Sequence, residues 1–222
     1  MITNIMKCYY NIKYPYLNYS YTDTDGGYIM FSVPPLMLAD EYEKRFHSEP
    51  KTFFDCGAAT GMIVQLALDY GMDACGIDTY KYPEQSQSLL RMHYPQGTGR
   101  YIIPGHRLRR LFDTKRIEIK SILDCDPIET DIAYCNGVLT YFDEKTLPNV
   151  LSKFRNVGML CAIHNTTEDI IAAQEIGEIL STCNKIRNIK PNDWWIETFN
   201  NNGFRADFDK NLNTFFAIPR QR

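Results

Sequence analysis

Two adjoining stretches of the chain are apolar almost throughout. Thr52–Cys56 is short and aromatic with an acid near its carboxyl end, a pattern typical of a buried strand. Met62–Tyr70 is apolar on nearly every side, which predicts a buried helix, and Gly71 is placed to end it. A turn containing Gly57 and Gly61 joins the two. Strand, glycine turn and buried helix are the opening unit of a doubly wound sheet, whose ligands lie outside the carboxyl ends of the strands.

Helical patterns flank this unit on both sides. Apolar residues at every fourth position predict a helix over Leu36–Phe46, which follows Pro34 and Pro35. Pro83 suits the first turn of a further helix, predicted to run to about His93.

The C-terminal residues predict two strands, Phe204–Asp209 and Asn213–Pro219. Only a few residues link them, which is too short for a crossover connection. The last strand is therefore expected to run antiparallel to its neighbour.

The N-terminal residues show no clean period. They are rich in tyrosine, which packs well and also offers a hydroxyl group. Two interpretations stay open: a lid that lines a substrate pocket, or an irregular segment packed on the sheet for bulk. We expect residues 1–48 to form this segment and its helix, and residues 49–222 to form the main domain of a single-domain protein.

The acids and glycines indicate the chemistry of the ligand. A dinucleotide-binding turn has the spacing G-x-G-x-x-G and cradles a pyrophosphate. Here the spacing is D-x-G-x-x-x-G, with Asp55 before Gly57 and Gly61. A carboxylate there would repel a phosphate and suit a cation. Asp73–Asp78 reads as the second strand, and Asp78 at its tip is placed to accept both ribose hydroxyls. S-adenosylmethionine fits this combination, since it is a cationic adenosine derivative without a phosphate.

At these residues the sequence resembles the class I S-adenosylmethionine-dependent methyltransferases, and the resemblance extends in order from Phe53 to Ile218. It implies an α/β fold, with a doubly wound, mostly parallel seven-stranded sheet, an antiparallel strand near the C-terminus and helices on both faces. The stretches that resemble the later strands and the last helix and turn are Ser121–Asp124, Asp131–Leu139, Val157–His164, and Trp194–Trp195 with Asn202–Phe204. Each motif alone matches the family only weakly. The motifs in their common order indicate the fold and the cofactor but give almost no information about the substrate.

The resemblance also implies a set of cofactor contacts, with S-adenosylhomocysteine as the product. The acid that ends the third strand would meet the adenine amino group; Asp124 is the candidate, and Asp126 is an alternative. The residues expected to bind the cofactor are Asp55, Gly57, Ala58, Gly61, Asp78, Thr79, Asp124, Cys135 and Asn136. A side chain at Gly57 or Gly61 is expected to keep the backbone from closing on the ligand.

Methyl transfer from a sulfonium is an in-line displacement that depends mainly on positioning, so no catalytic motif is obligatory and no metal is implied. His164, expected at the carboxyl end of the fifth strand, is the candidate general base, with a structural histidine as the equal alternative. Tyr141 is the second candidate, as a donor to the substrate or a wall of the pocket; a purely structural role is favoured there.

Several features bear on the acceptor. Asn136-Gly137-Val138-Leu139 departs from the N-P-P-Y-like loop of amino-methylating DNA enzymes, and Cys135 lacks the preceding proline of a cytosine C5 nucleophile. These differences favour a small-molecule acceptor over nucleic acid. Seven side chains that can carry positive charge could bind an anionic group of a substrate or form a solvated surface: Arg100, His106, Arg107, Arg109, Arg110, Lys115 and Arg116. The acceptor is accordingly expected to be anionic or aromatic.

Composition gives no reason to expect a membrane or nucleic-acid protein. The formal net charge is −3, and no apolar run is long enough to span a bilayer. The odd number of cysteines, seven, and the absence of a C-x-x-C pair argue for buried thiols in a reducing cytoplasm. Cys56, Cys75, Cys135 and Cys161 are expected to be buried in strands.

Three functions remain compatible with the sequence. The first is a methyltransferase acting on an oxygen or nitrogen of a small molecule. The second is a non-catalytic S-adenosylmethionine-binding subunit that regulates a partner. The third is another enzyme using the same cofactor, such as a lyase or an aminopropyl transferase.

Overall fold

The computed structural model describes residues 17–21, 29–32, 35–59, 61–79, 89–93, 100–163, 166–167 and 188–220. Within these ranges the strands are β1 (Leu17–Tyr21), β2 (Ile29–Ser32), β3 (Thr52–Cys56), β4 (Asp73–Asp78), β5 (Leu89–His93), β6 (Arg100–Pro104), β7 (Ile117–Ile119), β8 (Ile132–Asn136), β9 (Met159–Ile163), β10 (Phe204–Asp209) and β11 (Thr214–Pro219). The helices are α1 (Pro35–Phe46), α2 (Met62–Tyr70), α3 (Gly105–Asp113), α4 (Leu147–Ser152) and α5 (Asn192–Asn201).

Seven strands form a mixed sheet in the order β10-β11-β9-β8-β3-β4-β7. The pairs β3–β4, β4–β7 and β8–β9 are parallel, whereas β11 is antiparallel to both β9 and β10. This topology confirms the predicted doubly wound, mostly parallel sheet with an antiparallel strand near the C-terminus. It is the sheet order of a Rossmann-like methyltransferase fold.

The predicted opening unit is also confirmed. β3, α2 and β4 have the bounds that the apolar pattern indicates, and α1 begins at Pro35, one residue before the predicted start at Leu36. Gly71 ends α2 in a left-handed conformation, with φ of 108°, and its N–H group donates to the carbonyl oxygens of Ala67 and Leu68. This is the geometry for which glycine is favoured at a helix end.

A second sheet was not anticipated. Its order is β2-β1-β5-β6, and all three of its pairs are antiparallel. The helix predicted to run to about His93 is therefore wrong over Leu89–His93, which is strand β5. Pairing with β1 and β6 provides hydrogen-bond partners for the backbone N–H and C=O groups of this segment. Such tertiary pairing overrides local helix signals.

The chain divides into two compact units, residues 1–121 and residues 122–222. In the first unit α2 packs against α1 and α3, and Leu38, Val64 and Ala67 are completely buried. In the second unit an aromatic cluster holds α5 against β10 and β11. The Phe199 ring has its centroid 6.2 Å from that of Trp195, 6.3 Å from that of Phe204 and 6.0 Å from that of Phe215. Burying each such ring contributes roughly 1.5–3 kcal/mol.

The expectation of buried cysteines is wrong at one position. Cys56, Cys135 and Cys161 are buried, but Cys75 is exposed on β4. Alternation along a half-covered strand explains this, since Asp73 and Cys75 share the exposed side while Ala74 is buried. No helix in the described part of the chain is long and apolar enough to cross a membrane.

The proposed boundary between residues 1–48 and residues 49–222 stays a prediction, and most of the N-terminal residues lie outside the described ranges.

Candidate functional site

The turn after β3 is tied closely to the end of β4. The N–H groups of Gly57 and Ala58 both donate to the carbonyl oxygen of Ile77, each at 2.9 Å. The N–H group of Ala59 donates to Oδ2 of Asp78 at 2.8 Å. Positive φ angles of 88° at Gly57 and 48° at Ala59 bring these groups round to face β4. Asp78 thus shapes the turn as well as standing at the tip of its own strand.

These bonds bear on which ligand the turn accepts. A phosphate-binding turn offers free N–H groups to the phosphate oxygens. Here the N–H groups of Gly57, Ala58 and Ala59 already have acceptors, and the N–H group of Gly61 donates to the Ala58 carbonyl at 2.7 Å. The geometry therefore agrees with the sequence-based expectation of a ligand without a phosphate at this position.

Asp55 is the other acid at this edge, and it is buried, with only 3% of its surface exposed. Burial, with a smaller effect from the nearby Asp78 carboxylate, raises the pKa of Asp55 to about 8. The sequence-based expectation treated Asp55 as a carboxylate whose charge attracts a cation. In this structure the acid is instead mainly protonated at neutral pH, and a neighbouring positive charge would be needed to ionise it there.

Gly61 is constrained by its backbone conformation, since its φ of 86° lies in the left-handed region that favours glycine. A Cβ atom there would also lie 2.4 Å from Cδ1 of Ile117 and 2.7 Å from Cδ1 of Leu111, the ends of two flexible side chains. The expected approach of a ligand to Gly57 and Gly61 stays a prediction.

Gly76, in the middle of β4, is a position that sequence reasoning missed. A Cβ atom there would lie 2.7 Å from the carbonyl oxygen of Asp55 and 2.9 Å from Cβ of Ala58. Gly76 thus lets the end of β3 and the turn approach β4. The D-A-C-G-I-D stretch contains a mid-strand glycine, which is the one local signal for such a close approach.

The remaining candidates of the first unit lie at the same edge. Ala58 is buried, and Thr79 is exposed directly after β4. Gly57 is half-buried. Their roles in binding stay predictions.

Asp124 does not end a strand, so that part of the prediction is wrong. The third strand of the large sheet is β7, which ends at Ile119, and Asp124 is the last residue of a 3-10 helix, Ile122–Asp124. The stretch Ser121–Asp124, which resembles the end of a strand, lies beyond the end of β7. Asp124 and its alternative Asp126 are both exposed, and their role at an adenine ring stays a prediction.

In the second unit Asn136 is half-buried at the end of β8, as the sequence predicts. Cys135 is fully buried, and its role in binding stays a prediction. Gly137 turns the chain with φ of 70°, and its N–H group donates to the Ile163 carbonyl at 2.6 Å.

Of the two candidate catalytic residues, the structure describes Tyr141 but not His164. Tyr141 ends the 3-10 helix Leu139–Tyr141 and is 45% exposed, which suits a residue that contacts a substrate. His164 lies outside the described residues.

Asn188 is a further residue that the sequence did not reveal. It is 3% exposed, its side-chain amide donates to the Phe142 carbonyl, and its backbone N–H group donates to the Thr140 carbonyl at 3.1 Å. The Thr140 hydroxyl in turn donates to the Gly137 carbonyl at 2.9 Å. Asn188 therefore fixes the loop that follows Asn136 and carries Tyr141. The contact joins residues 46 apart, and no local pattern indicates it.

No family model matches this sequence, and no curated protein matches it. Solved structures do. A sugar N-methyltransferase from Streptoalloteichus sp. has a TM-score of 0.57 and 11% sequence identity, and the match covers 84% of this chain and 86% of that one. The Burkholderia thailandensis 1,6-didemethyltoxoflavin-N1-methyltransferase, crystallised with its substrate and S-adenosylhomocysteine, has a TM-score of 0.53 and 10% identity, with 82% and 76% covered.

A small RNA methyltransferase matches with a TM-score of 0.54 and 14% identity over 86% of this chain, which spans only 26% of that longer protein. At such identities the likeness establishes the fold. The chain has the class I fold of S-adenosylmethionine-dependent methyltransferases, and the resemblance predicted from its residues is confirmed at that level.

Proposed function

We propose that this protein binds S-adenosylmethionine at the turn after β3 and transfers its methyl group to an oxygen or nitrogen of a small molecule, releasing S-adenosylhomocysteine. The observation that carries the proposal is the arrangement of this turn. Its N–H groups are directed to Ile77 and Asp78. The Asp78 carboxylate at this edge suits ribose hydroxyls and a cation.

The structural neighbours support the same cofactor. Two of them, the 1,6-didemethyltoxoflavin-N1-methyltransferase and a plantazolicin methyltransferase, were crystallised with S-adenosylhomocysteine and with a small-molecule substrate or its analogue. The net charge of −3 further favours a small acceptor over a nucleic acid.

Replacing Asp78 tests the cofactor site. We expect Asp78→Asn to weaken binding of S-adenosylhomocysteine about tenfold or more, because the variant loses a charged acceptor for the ribose hydroxyls. Isothermal titration calorimetry on the wild type and the variant measures this. The matched control is Asp73→Asn, at the opposite end of β4, where the side chain is 69% exposed.

Asp73→Asn should leave the affinity unchanged, and thermal melting of both variants should show that they are folded. Equal affinity of Asp78→Asn and the wild type would remove Asp78 from the site. Tighter binding of NAD or of a phosphorylated nucleotide than of S-adenosylhomocysteine would contradict the proposed cofactor.

A second experiment tests turnover. Acceptors with hydroxyl or amino groups, including anionic and aromatic ones, are screened for S-adenosylhomocysteine release. Once an acceptor is found, we expect His164→Ala to lower kcat about a hundredfold, the lower end of what a general base contributes. Tyr141→Phe, which keeps the ring and removes the hydroxyl, should have a smaller effect.

Full turnover of His164→Ala between about pH 6 and about pH 9 would show that this histidine is not the base. Tight binding of S-adenosylhomocysteine without methylation of any acceptor would favour a non-catalytic binding subunit instead.

A further inference from the structure

The first unit contains a pocket of about 550 Å³ between α2, α3 and the turn that precedes β7. Three guanidinium groups, an amide and a hydroxyl line it together with leucine side chains. The residues that matter here are Gln65, Arg107, Arg110, Leu111, Thr114 and Arg116. A volume of this size lies within the range of small-molecule sites, roughly 300–1,000 Å³.

Two of the arginines are held in place by acids. Arg107 forms an ion pair with Asp69, which also accepts a hydrogen bond from Nε2 of Gln65 at 3.0 Å. Arg116 forms an ion pair with Asp73 and also donates to the Ala74 carbonyl at 3.3 Å. A guanidinium has five N–H donors, so an arginine in an ion pair can also donate to a ligand while its orientation is restricted.

The third arginine supplies unneutralised charge. Arg110 is exposed and takes part in no ion pair within the described ranges. The Thr114 hydroxyl donates to the Arg110 carbonyl at 2.7 Å, so the donors for a ligand come from the arginines and Gln65. Arg107 and Arg116 each have an acidic partner, so among the described residues that line the pocket Arg110 is the arginine whose charge is not paired with an acid.

The pocket is separate from the proposed cofactor site. Arg116 reaches Asp73, the first residue of β4, whereas Asp78 is the last residue of the same strand. Arg116 therefore lies toward the opposite end of β4 from Asp78. Three side chains of the basic cluster, Arg107, Arg110 and Arg116, line this pocket.

We propose that this pocket binds a small phosphorylated molecule at a site distinct from the cofactor. The planar guanidinium forks match the oxygens of a phosphate in pairs, and several arginines around one anion favour the doubly charged phosphate over a carboxylate. Leu111 offers an apolar wall for the organic part of the ligand. This site does not depend on the proposed methyl transfer.

Inorganic pyrophosphate is the probe for this site. It is titrated into the full chain by calorimetry at constant ionic strength, with S-adenosylhomocysteine at saturating concentration. We expect saturable binding of one pyrophosphate per chain. Arg110→Gln should weaken this binding about tenfold, the effect of losing one charged hydrogen-bonding group.

Arg109→Gln is the matched control, because Arg109 is exposed on the same helix and does not line the pocket. It should leave the affinity within about twofold of the wild type, the small effect expected of a screened surface charge. Equal weakening by Arg109→Gln and Arg110→Gln would show diffuse surface attraction and overturn the site, as would the absence of saturable binding. Competition between pyrophosphate and S-adenosylhomocysteine would place the anion at the cofactor edge and would also overturn it.

Discussion

Gly76→Ala is expected to lower the free energy of unfolding by about 3 kcal/mol, at the upper end of the usual cost of overpacking a core. The added methyl group would lie 2.7 Å from the Asp55 carbonyl oxygen, 2.9 Å from Cβ of Ala58 and 3.2 Å from Cβ of Asp55. A carbonyl oxygen and two Cβ atoms cannot rotate away, unlike the end of a flexible side chain. The strain can be relieved only by separating β3 and its turn from β4.

Urea unfolding followed by circular dichroism measures this effect, and two variants make it specific. Gly71→Ala adds a methyl group where no atom lies within 4 Å, so it should cost only the strain of a positive φ, about 1–2 kcal/mol. Adding Ala58→Gly to Gly76→Ala removes one of the close contacts and should recover part of the loss. A cost for Gly76→Ala no greater than that for Gly71→Ala would show that the two strands can separate at little expense.

The same variant should disturb the proposed cofactor site. Asp55 lies opposite Gly76 in the β3–β4 register, and the turn that starts at Gly57 follows directly. A shift there would stretch the bonds from Gly57 and Ala58 to Ile77. Stability and binding of S-adenosylhomocysteine are therefore expected to fall together in Gly76→Ala.

The opening unit could be predicted from the sequence because its signals are local. The apolar run of β3, the continuous apolar face of α2 and the glycine at position 71 each specify structure within a few residues. The antiparallel end of the sheet was predictable for a similar reason, since the short link between β10 and β11 excludes a crossover.

The features that sequence reasoning missed depend on contacts between distant residues. Strand β5 exists because His93 pairs with Asn18 and with Arg100 in a sheet, and proline positions alone favoured a helix there. Gly76 is constrained by the backbone of the neighbouring strand, and Asn188 by carbonyl groups 46 and 48 residues earlier. The acid at position 55 was visible in the sequence within a strand predicted to be buried, but the rise in the pKa of its carboxyl group was not anticipated.

Asp55→Asn is expected to change the pH dependence of stability. Burial raises the pKa of Asp55 from 3.8 to about 8, so the folded protein keeps a proton that the unfolded chain loses above about pH 4. The unfolded chain binds fewer protons in this window, and the free energy of unfolding therefore falls as pH rises from about 4 to about 8. The slope for one group is at most about 1.4 kcal/mol per pH unit. An asparagine has nothing to ionise, so the variant lacks this loss.

The difference in unfolding free energy between Asp55→Asn and the wild type should accordingly grow in favour of the variant as pH rises, up to about pH 8 and not beyond. Urea unfolding between about pH 5 and about pH 9 measures it, and the exposed Asp73→Asn should show no such trend. A difference independent of pH would mean that Asp55 ionises in the folded protein as it does in the unfolded chain.

If the proposed cationic cofactor binds beside Asp55, its charge favours the carboxylate, and binding near neutral pH should release a proton. Calorimetry in buffers of different ionisation enthalpy detects that release, and its absence together with a clear pH-dependent difference would place the cation away from Asp55.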